Sequence, residues 1–225
     1  MMRNTLTALI LSSSLVFLGA CTHAEHQTTT QTDSASETVQ HDATQGGSAT
    51  MQHNDMEMDL GPADAELDLR FIDAMTLHHQ GAIEMAEQAG EKANHAELKT
   101  LAQEIITAQQ QEIEQMQQWR QQWYANAGTE PVMYHSQMGH SMPMSEEMRS
   151  SMMMNPDLGA ADAEFDLRFI NAMIPHHEGA VTMAQEALEK SNRPEVKQLA
   201  QTIIDAQQPE IQQMQQWKQQ WYGQQ

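Results

Sequence analysis

The chain is short of cysteine, of cations and of aromatic residues, and each shortage removes a class of function. One cysteine, Cys21, in 225 residues excludes an intramolecular disulfide framework, a CxxC redox pair and a multi-cysteine zinc site. Lys and Arg number 11 against 31 Asp and Glu, a formal net charge of −20. Neutralising phosphates takes Lys and Arg, so nucleic acid is excluded as a partner. The same charge argues against an anionic lipid surface. No HExxH stretch is present, which speaks against a zinc hydrolase, and no nucleophile, base and oxyanion arrangement is visible. What the chain has in excess is methionine, 19 residues, together with 11 His. Methionine fills irregular cores, but its thioether is also a soft metal ligand.

Residues 1–20 read as a secretory signal: Arg3 gives the positive start, and Leu6 to Leu18 give an apolar run too short for a membrane span. Leu18-Gly19-Ala20-Cys21 resembles a bacterial lipobox, which implies cleavage before Cys21 and lipidation of its sulfur. The expected location is the bacterial cell envelope, lipid-anchored, with the lipid as the only membrane contact. Residues 21–58 are rich in Thr, Gln, Ser, Asp and Gly, and they cannot offset the entropy of ordering. They are expected to be a disordered tether.

The rest of the chain is a duplication. Asp64–Tyr124 aligns without a gap on Asp162–Tyr222 at an offset of 98, with 41 of 61 positions identical. In each copy, apolar residues recur at helical spacing in two stretches. Phe71, Ile72, Met75, His78, His79, Ala82 and Ala86 share one face of the first, while Arg70, Asp73, Gln80 and Glu84 point elsewhere. Asn94, with Glu97 three residues on, reads as the N-cap of the second stretch. Asp68 and Asp166 are expected to pair with a group such as Arg70 or Arg168 of a neighbouring helix, or to cap one end. The Trp119/Trp123 and Trp217/Trp221 pairs read as helix-end packing. Two hairpins, 59–124 and 159–225, can close an all-α, ferritin-like four-helix bundle. A Met- and His-rich linker, 125–158, joins them as a crossover or a mobile loop.

Met75 lies three and four residues before His78 and His79, so all three share a helix face. Met173, His176 and His177 repeat them, and Met85 and Met183 lie at the edge of the same stripe. With the turn near residue 93, the histidines come level with residues 107–108 of the partner helix. Gln109 and Glu112 face inward near that level, Met116 lies a turn beyond, and Gln207, Glu210 and Met214 repeat the set. A polar cluster in a helical core needs a reason, because unpaired burial is costly. A metal ion is one; imidazolium paired with carboxylate is the other. Thioether plus imidazole suits copper, Cu(I) above all, and not Mg²⁺ or Ca²⁺. A di-iron oxidase would want Glu three residues before His, and neither pair has it. Eleven methionines lie outside the helices and the signal, in segments read as too polar for a core. Of these, Met133, Met138, Met142 and Met144, with His135 and His140, are secondary soft-metal candidates.

FIDAMTLHHQGAIEMA and FINAMIPHHEGAVTMA resemble the signature of the domain of unknown function 305 family. The resemblance implies a ferritin-like four-helix bundle, commonly in the bacterial envelope, with copper binding and copper tolerance among some members. The matching positions are Met75, His78, His79 and Met85, with Met173, His176, His177 and Met183. The expectation is a copper-binding envelope lipoprotein that buffers or chaperones the ion, with a metal-delivery protein as its partner. A ferritin-like redox enzyme and a metal-free interaction module are the alternatives.

Overall fold

A computed structural model describes residues 59–223. The signal, the tether and Cys21 lie outside the described residues. The helices are α1 (Leu67–Lys92), α2 (Ala96–Trp123), α3 (Glu146–Met153), α4 (Phe165–Lys190) and α5 (Pro194–Tyr222). Two short strands, β1 (Val132–His135) and β2 (His140–Pro143), pair antiparallel between α2 and α3. Each apolar stripe is buried against its hairpin partner and against the other hairpin. α4 and α5 run through Pro175 and Pro209 as continuous helices.

The hairpins dock head to tail, so that the start of each meets the turn of the other. Asp166, at the start of α4, accepts from the amides of Asn94 and His95 (2.8 and 2.9 Å) and from His95 Nδ1 (2.6 Å). Its carboxylate supplies acceptors for amides that the α1–α2 turn would otherwise leave without partners. His95, not Asn94, is the N-cap of α2, and no side chain of the turn itself caps the helix. The Asn94 side chain donates to the Asp162 carbonyl instead, across the hairpins. Asp68 makes the corresponding contact more loosely, 3.3 Å from Arg193 Nε. The tryptophans stack in pairs at the helix ends. Trp221 also lies on His95 at 3.7 Å, and Arg193 covers Trp123 at 4.3 Å.

The linker breaks the symmetry, and it is an ordered strap rather than a loop. Its β-hairpin packs on α1 and buries Arg70, which donates to Ser141 Oγ (2.8 Å) and lies 5.4 Å from the Tyr134 ring. Asp73 is buried beneath it, paired with Arg120 at 2.5 Å and accepting from the Val132 amide at 2.9 Å. Arg70 and Asp73 therefore do not face solvent, because the strap covers their side of the helix. Ser145 caps α3 by accepting from the Met148 amide. The end of α3 presses into a notch at Gly81, where a Cβ would meet the Met153 carbonyl oxygen at 1.7 Å. Met144 and Met152 are 3% and 6% exposed and belong to the core. Part of the linker methionine is thus core filling, contrary to the expectation from its polar surroundings.

Candidate metal centre

The interior consists of two apolar clusters with a polar layer between them. One cluster joins Phe71, Ile72 and Ile113 of the first hairpin to Ala184, Val196 and Ile203 of the second. The other joins Ala86, Leu98 and Ile105 to Phe165, Phe169 and Ile170. His78 and His79 of α1 and His176 and His177 of α4 belong to neither cluster, and all four are 0% exposed. The His78 and His176 rings meet across the hairpins with centroids 3.8 Å apart. Helical spacing alone does not bring these two rings together.

Three of the four rings are held from behind. His79 Nε2 lies 2.7 Å from Glu112 Oε2, and His177 Nε2 lies 2.7 Å from Glu210 Oε2. These are the helix-level partners that the sequence implies. His176 Nε2 lies 3.1 Å from the Met153 carbonyl oxygen, a contact with no copy in the duplication. A carboxylate or carbonyl oxygen only accepts, so each Nε2 carries the hydrogen, and in a neutral ring the lone pair falls to Nδ1. Those three Nδ1 atoms, and both nitrogens of His78, are buried without a hydrogen-bond partner. The side-chain carbonyls of Gln109 and Gln207, repeat-related and buried, are without partners too.

Burial and the charge that neighbouring imidazolium rings would impose hold His78 well below the usual histidine range. Burial, with the neighbouring His177 next, pushes His176 down to about 3. Both rings are therefore neutral near pH 7, the form that binds metal. Unpartnered buried nitrogens cost free energy, and a metal ion is what such lone pairs fit. Carboxylate–histidine pairing is the usual outer shell of a metal-bound imidazole. Among the described residues no three His, Cys, Asp or Glu side chains form a ready-made cage.

The thioethers are at hand, grouped differently from the sequence reading. Met75 and Met116 share an apolar cluster with Met183, whereas Met85 belongs with Met173 and Met214. Head-to-tail docking exchanges the two distal methionines, so each trio draws on both hairpins. All six are 0% exposed. Of the secondary candidates, Met144 is in the core, while Met133, His135, Met138, His140 and Met142 belong to the β-hairpin and its turn. Sequence reasoning missed the Met153 carbonyl, for which the only signal was the glycine after His-His-Gln.

Several solved structures are similar to this chain. CopM in its Cu(II)-bound form is 44% identical, with a TM-score of 0.55, over 69% of this chain and 97% of that one. CopM in its Cu(I)-bound form is 42% identical, with a TM-score of 0.53 and the same coverage. An uncharacterized protein of Acanthamoeba polyphaga mimivirus is 45% identical over 49 residues. The chain spans 32% of the length of that curated relative. The family described as domain of unknown function (DUF305) matches residues 20–120 and 68–218, and the chain belongs to it.

Proposed function

We propose that this DUF305 protein binds copper, Cu(I) in preference, at the histidine layer, and that it buffers the ion or hands it on at the bacterial envelope. The observation that carries the reading is the set of five unpartnered ring nitrogens at the centre of the bundle, flanked by two methionine trios. Copper-bound relatives support the choice of metal. Imidazole and thioether together are a soft donor set, which favours Cu(I) over hard cations. His78, His79, His176 and His177 supply nitrogen. Met75, Met116 and Met183, with Met85, Met173 and Met214, supply sulfur. Glu112, Glu210 and the Met153 carbonyl fix the rings, and the two apolar clusters keep water away. The lipobox at Leu18–Cys21 supports an anchored location, and the acidic surface would concentrate cations near the site.

Anaerobic Cu(I) titration of residues 22–225 against a competing chelator tests the reading. Copper that binds only the folded state at a hundred times its dissociation constant adds about 2.7 kcal/mol of stability. The H78A/H176A variant should take up at least one equivalent less and lose that thermal gain. Wild-type uptake by the variant would overturn the layer as the site. Oxygen consumption during turnover of Cu(I) would instead favour a redox enzyme.

A further inference from the structure

The β-hairpin of the linker sets out a second group of donors far from the buried layer in its chemistry: local, outside the duplication, half-buried at His135 and Met142 and exposed at Met138 and His140. The register places His135 directly opposite His140 and Met133 directly opposite Met142. Directly opposed residues of an antiparallel pair project to the same side, with Cβ atoms about 4.5–5.5 Å apart. Residues two apart on one strand also share a face. Met133, His135, His140 and Met142 thus form one face of the ribbon; Met133 packs against the core, His135 and Met142 are half-buried, and His140 is exposed. The alternate rung, Tyr134 and Ser141, is the one that meets Arg70 of α1.

The turn fixes the rings without using up their donors. The amides of Met138 and Gly139 both donate to the His135 carbonyl, at 3.0 and 2.9 Å, and Gly139 closes the turn at φ +72°. His140 Nδ1 donates to the Met138 carbonyl at 3.1 Å, so the lone pair of that ring is on Nε2. The Met138 amide also approaches His135 Nδ1 at 3.3 Å, but the backbone carbonyl already satisfies it without the ring. Met138 itself stands 59% exposed at the tip, the one large apolar side chain so placed among the described residues. Burial does not account for its position, and neither does the packing of the strap.

We infer that His135 and His140, with the thioethers of Met138 and Met142, form a surface site for a soft monovalent cation, Cu(I) or Ag(I), separate from the buried layer. Two imidazoles on one rung chelate a single ion, and a neighbouring thioether gives the set its softness. The exposed Met138 and His140 give the ion a direct path to solvent, in contrast to an interior that excludes water. The site does not depend on the reading of the buried layer.

Anaerobic titration of residues 22–225 with Ag(I), and separately with Cu(I), tests it. H135A/H140A should bind one equivalent fewer per chain while its metal-free melting temperature stays at the wild-type value. H135N/H140N, which keeps hydrogen-bonding side chains in the turn, should show the same loss. In wild-type protein, the C2 proton resonances of His135 and His140 should move together as that equivalent is added. Unchanged stoichiometry in both variants overturns the hairpin site. A deficit confined to H78A/H176A does so too and leaves the buried layer standing, whereas a deficit confined to the hairpin variants leaves the hairpin site and removes the layer.

Discussion

At the scale of single residues, the carboxylates behind the histidines decide how good the rings are as ligands. Glu112 and Glu210 each accept from an imidazole Nε2, and this fixes the tautomer and raises the basicity of the opposite nitrogen. E112Q and E210Q keep the shape and remove the charge. Each should weaken copper affinity about 10- to 100-fold, the usual cost of losing an outer-shell partner. Competition titration checks the affinity, and circular dichroism checks that the fold is retained. Unchanged affinity in both variants would mean that these pairs serve the bundle and not a metal. The pairing of His79 with Glu112 was legible in the sequence, because two antiparallel helices joined by a short turn must bring those levels together. The meeting of His78 with His176 was not. It depends on how one hairpin docks on the other, and periodicity within a helix carries no information about that.

At the scale of elements, the joints between hairpins are unequal, and the inequality follows from one carboxylate each. Asp166 accepts three hydrogen bonds from Asn94 and His95, while Asp68 holds Arg193 at 3.3 Å and has a buried oxygen without a partner. Hydrogen bonds to a charged group contribute about 1.5–3 kcal/mol each, and losing an acceptor leaves donors stranded. D166A should therefore destabilise the protein by about 2–4 kcal/mol and D68A by distinctly less, as measured by urea unfolding. Equal losses would show that the joints are equivalent. The strap was the least legible element. Its strands are built from Met, His, Ser, Tyr and Pro, and have one β-branched residue, Val132, to mark them. One signal did exist. Asp73 and Arg120, which pair beneath the strap, are Asn171 and Lys218 in the other repeat. A departure from the duplication at two residues that touch marks a face with its own partner.

For the whole molecule, the polar layer makes acid a specific stress. His78 and His176 stay neutral in the folded protein, the first held well below its usual range and the second at about 3. In the unfolded chain both titrate near the ordinary value of about 6.5. Between about pH 6.5 and about pH 3 the unfolded chain therefore binds protons that the native protein does not, and stability rises with pH. Above about pH 7 both states are neutral and the rings contribute no slope. Below about 6.5 each ring lowers stability by up to about 1.4 kcal/mol per pH unit. Carboxylates titrate in the same range, so the comparison that isolates the layer is between wild type and H78Q/H176Q, which share every carboxylate. Urea unfolding of the metal-free proteins at pH 7.5, 6.0 and 5.0 should give wild type the steeper fall. Equal slopes would mean that the two rings are protonated in the folded protein. Buried imidazolium would then explain the layer without any metal.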